Sequence, residues 1–106
     1  MSYSARLRRL KELGLPGRAI ADLLGVSEST VSRLLRDEGR AERFFRKEER
    51  QKVLLALEAD PQGLLRRWLF ARTKESLRRR YPWIPEDDLE ALVLTWLRRR
   101  APGLFS

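Results

Sequence analysis

The residues best suited to chemistry in this sequence cluster between Arg18 and Arg36. Ser27, Glu28, Ser29, Thr30, Ser32, Arg33 and Arg36 form a set of short hydroxyls, one carboxylate and two long bases, and Arg18 lies just upstream. Hydroxyls donate and accept hydrogen bonds at short range, and a guanidinium offers five donors in a planar fork. That inventory suits non-covalent recognition of an anion or of polar edges. Catalysis is poorly provided for. The chain contains no Cys and no His, which removes thiolate nucleophiles, Cys-type zinc sites, the usual general base and the commonest metal ligand. The serines have no His partner and no convincing Lys base. No phosphate-cradling Gly loop is present. Glu86, Asp87, Asp88 and Glu90 are a formal option for Mg²⁺. They open a predicted helix, however, where the macrodipole favours acids without any metal. The expectation is a binding protein, not an enzyme, with no cofactor and no metal.

The charge agrees but proves little by itself. The chain has 106 residues, 23 Lys+Arg against 15 Asp+Glu, and a net charge of +8, which favours a polyanionic partner. It also has 19 Arg, 20 Leu, no Asn and 2 Gln. Such a skew fits a GC-rich genome and a heat-adapted source. Placement of the bases therefore counts for more than their number. Residues 1–39 hold seven bases and five acids, and the remainder holds 16 and 10. The triplets Arg78-Arg79-Arg80 and Arg98-Arg99-Arg100 end predicted helices, where cations are favoured in any case.

Stepping along the chain, helix formers dominate and strand signals are missing. A first helix is expected over residues 4–13, with Leu7, Leu10 and Leu13 inward and Gly14 as its stop. Pro16 fits the first turn of a second helix that ends at Gly25. Ser27 fits the N-cap of a third, over residues 28–38, broken by Gly39. Residues 40–52 read as linker, exposed helix or both. Asp60-Pro61 then stops one helix and starts the next. A last helix over about 86–100 carries a stripe of Leu89, Leu92, Val93, Trp96 and Leu97, and Pro102-Gly103 terminates it. Trp68 and Trp96 fall on apolar stripes and are expected in a core, whereas Trp83 lies in a Pro-flanked loop. No apolar run approaches the ~20 residues of a membrane span, and residues 1–6 carry no secretory h-region. A cytoplasmic setting is expected.

Two short helices crossing at a tight turn need a small residue at their contact, and Ala21 supplies it. Four positions on, the turn needs a residue that accepts positive φ, which Gly25 does. Val26 then plugs the gap, while Ile20, Leu23 and Leu24 face Val31, Leu34 and Leu35. Leu7 and Leu10 close a three-helix core. With Ile20-Ala21, Gly25-Val26-Ser27 and residues 29–34 (S-T-V-S-R-L) at these offsets, the stretch over about 4–38 resembles the helix-turn-helix DNA-binding family. The likeness is to copies found in resolvases, transposases and small phage or plasmid regulators. A recombinase catalytic domain is absent from the sequence.

The resemblance implies that the third helix enters the major groove of double-stranded DNA. Arg33 would pair with guanine O6 and N7, while Ser27, Ser29, Thr30 and Ser32 lie within short reach of phosphates or bases. Glu28 would accept from cytosine N4 or serve the helix N-terminus, and Arg18 and Arg36 are better placed for phosphates. The fold expected is all-α: a three-helix helix-turn-helix unit over 1–39, then a small helical bundle over 40–106. Residues 46–106 are expected to make a homodimer or higher homo-oligomer. The function expected is a sequence-specific transcriptional regulator. The alternative is the DNA-recognising subunit of a larger machine, such as a phage terminase small subunit or a transposition or recombination accessory protein.

Overall fold

Each of the first three helices has a start and a stop written into its own sequence. In the computed structural model, which describes residues 1–105, every regular element is a helix. Helix α1 spans Tyr3–Glu12 and is capped by Ser2, whose hydroxyl accepts the Ala5 N–H at 3.2 Å. It ends in a Schellman turn: Gly14, at φ +102°, donates to Lys11, and Leu15 donates to Leu10. Leu7 and Leu10 are buried as expected. Leu13 is 42% exposed, because it sits on the cap beyond the last turn, and Leu15 fills the core in its place.

Helix α2 spans Gly17–Leu24, with Pro16 at its N-cap and not within the first turn. Its end repeats the device of α1. Gly25 adopts φ +72° and ψ 32° and donates to Asp22, while Val26 donates to Ala21. Helix α3 spans Glu28–Arg36 under the Ser27 cap. The break after α3 falls at Asp37, not at Gly39. The extended backbone of Asp37 stops α3, and its carboxylate accepts the Arg40 N–H at 3.1 Å to start α4, Glu38–Phe44. Gly39 lies inside that helix.

The first compact unit runs from Met1 to Pro61, well past the division expected after residue 39. Long-range side-chain contacts extend it. Phe45 is fully buried and stacks on Tyr3, with ring centroids 4.8 Å apart. Helix α5, Glu48–Ala59, packs on α2 and buries Leu54 and Leu57. From its first turns, Arg50 donates to the Phe44 carbonyl and Gln51 to the Phe45 carbonyl, at 3.1 and 2.7 Å. The charged run after Phe45 thus closes the exposed end of α4. Arg6 clamps Glu58 through two hydrogen bonds of 2.9 and 2.5 Å, tying α1 to the end of α5.

A second knot holds the far end of α3. Glu38 accepts the backbone N–H groups of Tyr3 and Ser4 at 3.2 and 2.8 Å. The buried Ser4 hydroxyl donates to the Leu34 carbonyl at 2.6 Å, and Arg8 donates to the Leu35 carbonyl at 2.7 Å. One carboxylate therefore caps α1 from α4, while α1 caps α3 in return. The hydrogen bond from the Ser4 N–H is the largest cause holding the Glu38 carboxyl below its ordinary value of 4.5.

The second compact unit begins at Gln62. Helix α6 spans Pro61–Arg80, α7 spans Glu86–Arg100 and α8 spans Pro102–Phe105. Leu77, Leu89, Val93, Leu97 and Phe105 form its core. Lys74 pairs with Glu86 and Glu90, and Arg78 with Glu86 at 2.6 Å, fastening the start of α7 to α6. Pro102-Gly103 follows the end of α7, as expected. It opens α8, which carries Phe105 into the core. The α7 stripe is narrower than its spacing suggests, since Leu92 and Trp96 are 36% and 38% exposed. Trp68 is half-buried. With so few helices in the unit, only the Leu89–Val93–Leu97 row is covered.

Two outcomes follow from these contacts. A carboxyl with a lowered folded-state pKa contributes stability above its unfolded pKa and loses it as pH falls through the folded one. Glu38→Gln should therefore be less stable than the parent at pH 7 in urea titrations, with the gap narrowing as pH falls below the ordinary carboxyl value of about 4.5. At Gly25 a Cβ would meet no heavy atom within 4 Å, so only the left-handed backbone opposes substitution. Gly25→Ala should lose about 1–2 kcal/mol in the same titration, and Gly25→Asn less, because Asn tolerates that region.

Candidate nucleic-acid interface

The α3 surface is built from its cap outward. Ser27 accepts the Thr30 N–H at 3.1 Å, and the two hydroxyls lie 3.0 Å apart. Both are thus engaged in starting the helix. Val31 and Leu34 are buried, Leu35 is half-buried, and this face holds α3 against α1 and α2. The opposite face presents Ser29, Ser32, Arg33 and Arg36 to solvent. Nothing apolar interrupts it.

The bases on this surface are held to different degrees. Arg36 folds along its own helix, its Nε donating to the Ser32 carbonyl at 3.3 Å. Arg18 reaches over from α2 to Glu28, with Nε 3.8 Å from Oε1 and both side chains more than half exposed. Glu28 also stands in the first turn of α3, where the helix dipole favours a carboxylate. Among the described residues, the Arg33 side chain takes part in no ion pair or hydrogen bond and projects from the middle of the exposed face. The structure thus brings all eight expected residues to α3 or its immediate neighbour. It gives Ser27 and Thr30 a capping task, and leaves Ser29, Ser32 and Arg33 open.

Such a face offers hydrogen-bond donors and acceptors. Among the described residues, no group of acids is placed to hold a metal ion, and no helix is long and apolar enough to cross a membrane. The second unit offers a different surface. Leu77, Arg80, Tyr81, Ile84, Leu92 and Trp96 line an open apolar groove of about 240 Å³. Trp83, 73% exposed, stands edge-on to Tyr81 nearby. Arg100 lies over the Trp96 ring at 4.2 Å. Sequence spacing assigned Leu92 and Trp96 to the core, and so this face was not foreseen.

Residues 7–44 match the family model described as a Homeodomain-like domain. Comparison with curated proteins and with solved structures returned no match. The matched segment takes in most of α1 and all of α2, α3 and α4, and so includes the Gly25 turn, the capped α3 and Glu38, but not Glu38's partners Tyr3 and Ser4. Residues 7–44 are thus similar to a homeodomain-like helix-turn-helix family of DNA-binding domains.

Proposed function

We propose that this protein is a sequence-specific transcriptional regulator that reads the major groove of double-stranded DNA with α3. The observation that carries the reading is the uninterrupted polar face of that helix, with the unpaired Arg33 guanidinium at its centre. In this motif the second helix enters the major groove with its N-terminal residues at the base edges. Ser29 stands in the first turn of α3, and Ser32 and Arg33 continue the same exposed face towards its last turn. Arg18 and Arg36, at the sides and end of the face, serve the phosphates. Ser27 and Thr30 act mainly by holding the helix start in place. Glu28 sits where it can accept from a base or yield Arg18 to the backbone.

One such helix contacts few base pairs. A two-fold pair of them reads half-sites about one helical turn apart and multiplies the specificity. We infer that the chain assembles as a homodimer through its C-terminal part, within residues 46–106. The exposed Leu92 and Trp96 side chains on α7 support that reading.

Duplex binding should be strong at low salt and fall steeply as salt rises. Arg33→Ala should lower discrimination at one base position by roughly 1–3 kcal/mol, read by competition between selected and substituted duplexes. An unchanged preference would remove Arg33 from base reading. Sedimentation or light scattering should give a dimer, and Trp96→Glu should shift it towards monomer. A ring of many copies would favour the packaging or transposition subunit instead.

A further inference from the structure

The exposed strip of α3 has two flanks. At ~100° per residue, Glu28 and Thr30 lie on opposite sides of the line through Ser29, Arg33 and Arg36. On the Glu28 side stands Arg18, across its 3.8 Å ion pair. On the Thr30 side the surface opens into a cleft of about 380 Å³ lined by Thr30, Leu34, Arg40, Arg43 and Phe44. Both arginines are exposed, and among the described residues neither guanidinium pairs with a carboxylate. No acid lines the cleft. The two acids that precede it are committed elsewhere, Asp37 to the Arg40 N–H and Glu38 to the N–H groups of Tyr3 and Ser4.

The position of this cleft is fixed by the fold. Helix α4 is held at its start by Glu38 and just past its end by the buried Phe45. The cleft cannot swing away from α3 without breaking those contacts. The major groove is about 12 Å wide and is bordered on both sides by phosphates. A helix lying in it needs bases on both flanks, and Arg18 supplies only one.

We propose that Arg40 and Arg43 form a phosphodiester-binding site for the DNA strand on the Thr30 side of α3. Building on the DNA-binding reading above, this makes α4 part of the interface: α3 reads bases, Arg18 and Arg36 meet one backbone, and the α4 pair clamps the other. Contacts to phosphate set register and orientation but carry no sequence information. The site should therefore add affinity evenly across sequences.

The test is a salt series of duplex binding by the full chain, followed by fluorescence anisotropy with both a random and a selected duplex. Four proteins are compared: the parent, Arg40→Gln/Arg43→Gln, Arg40→Lys/Arg43→Lys, and Arg98→Gln/Arg99→Gln as a charge-matched control in the second unit. Removing two phosphate contacts should flatten the plot of log K against log salt by about two units. Both duplexes should weaken by the same factor, the Lys pair should retain the parent slope, and the control should leave it unchanged. A parent-like slope in the Gln pair, or an equal loss in the control, would overturn the proposal while leaving α3 as the reader. Failure of the parent to bind any duplex at low salt would overturn the DNA-binding reading itself, and this site with it. Unchanged helicity by circular dichroism, expected for two exposed side chains, ties the loss to contact and not to folding.

Discussion

Helix α3 has nine residues, and isolated helices shorter than ~12–15 residues are marginal in water. The surface it presents exists only because other parts of the chain hold it. Its start is aimed by the left-handed turn at Gly25 and closed by the Ser27 cap. Its buried side is held through Val31 and Leu34. Its last carbonyls are taken by Ser4 and Arg8 of α1. Once both ends and one face are fixed, the remaining face projects as a rigid strip. The backbone beneath its hydroxyls and guanidinium then needs no further ordering to meet a partner.

That requirement explains why the folded unit is larger than the motif. A three-helix motif would leave the first N–H groups of α1 without partners. Glu38 answers this by accepting two N–H groups of α1 from the first turn of α4. Helix α4 in turn needs an anchor, and Phe45 under Tyr3 supplies it. The carbonyls of Phe44 and Phe45 need donors, which Arg50 and Gln51 of α5 provide. Each addition satisfies the polar groups left by the one before, and the sequence of additions ends only at Pro61.

What was legible in the sequence follows from the range of these interactions. The Gly25 turn and the Ser27 cap are local, involving residues up to a few positions apart, and spacing alone revealed them. The Glu38 and Ser4 contacts join residues 30 to 35 positions apart. No window of periodicity contains both partners, so spacing gives Glu38 no role beyond closing the expected third helix. Arg50 and Gln51 likewise read as part of a solvated charge run. In the second unit the 3.6-residue period of α7 was readable. Which part of its stripe is covered depends on how many helices surround it, and with so few only Leu89, Val93 and Leu97 are buried. Leu92 and Trp96 therefore emerged as surface.

The arginine-rich composition is resolved by the same view. Its members divide by what they hold. Arg6 grips Glu58 through two short bonds, Arg8 and Arg50 take backbone carbonyls, and Arg78 fastens α7 to α6. These are ties within the fold, and moving them would release a helix. Arg18 holds Glu28 only at 3.8 Å in the open, a kind of pair worth about 0–1 kcal/mol that a phosphate displaces at little cost. Arg33, Arg40 and Arg43 have no carboxylate to leave at all. Part of the uncommitted charge of the first unit therefore lies beside α3, although this unit's first 39 residues carry only a small excess of bases. For a polyanionic partner, what counts is how much positive charge the fold leaves unspent at one surface, and net charge is a poor guide to that quantity.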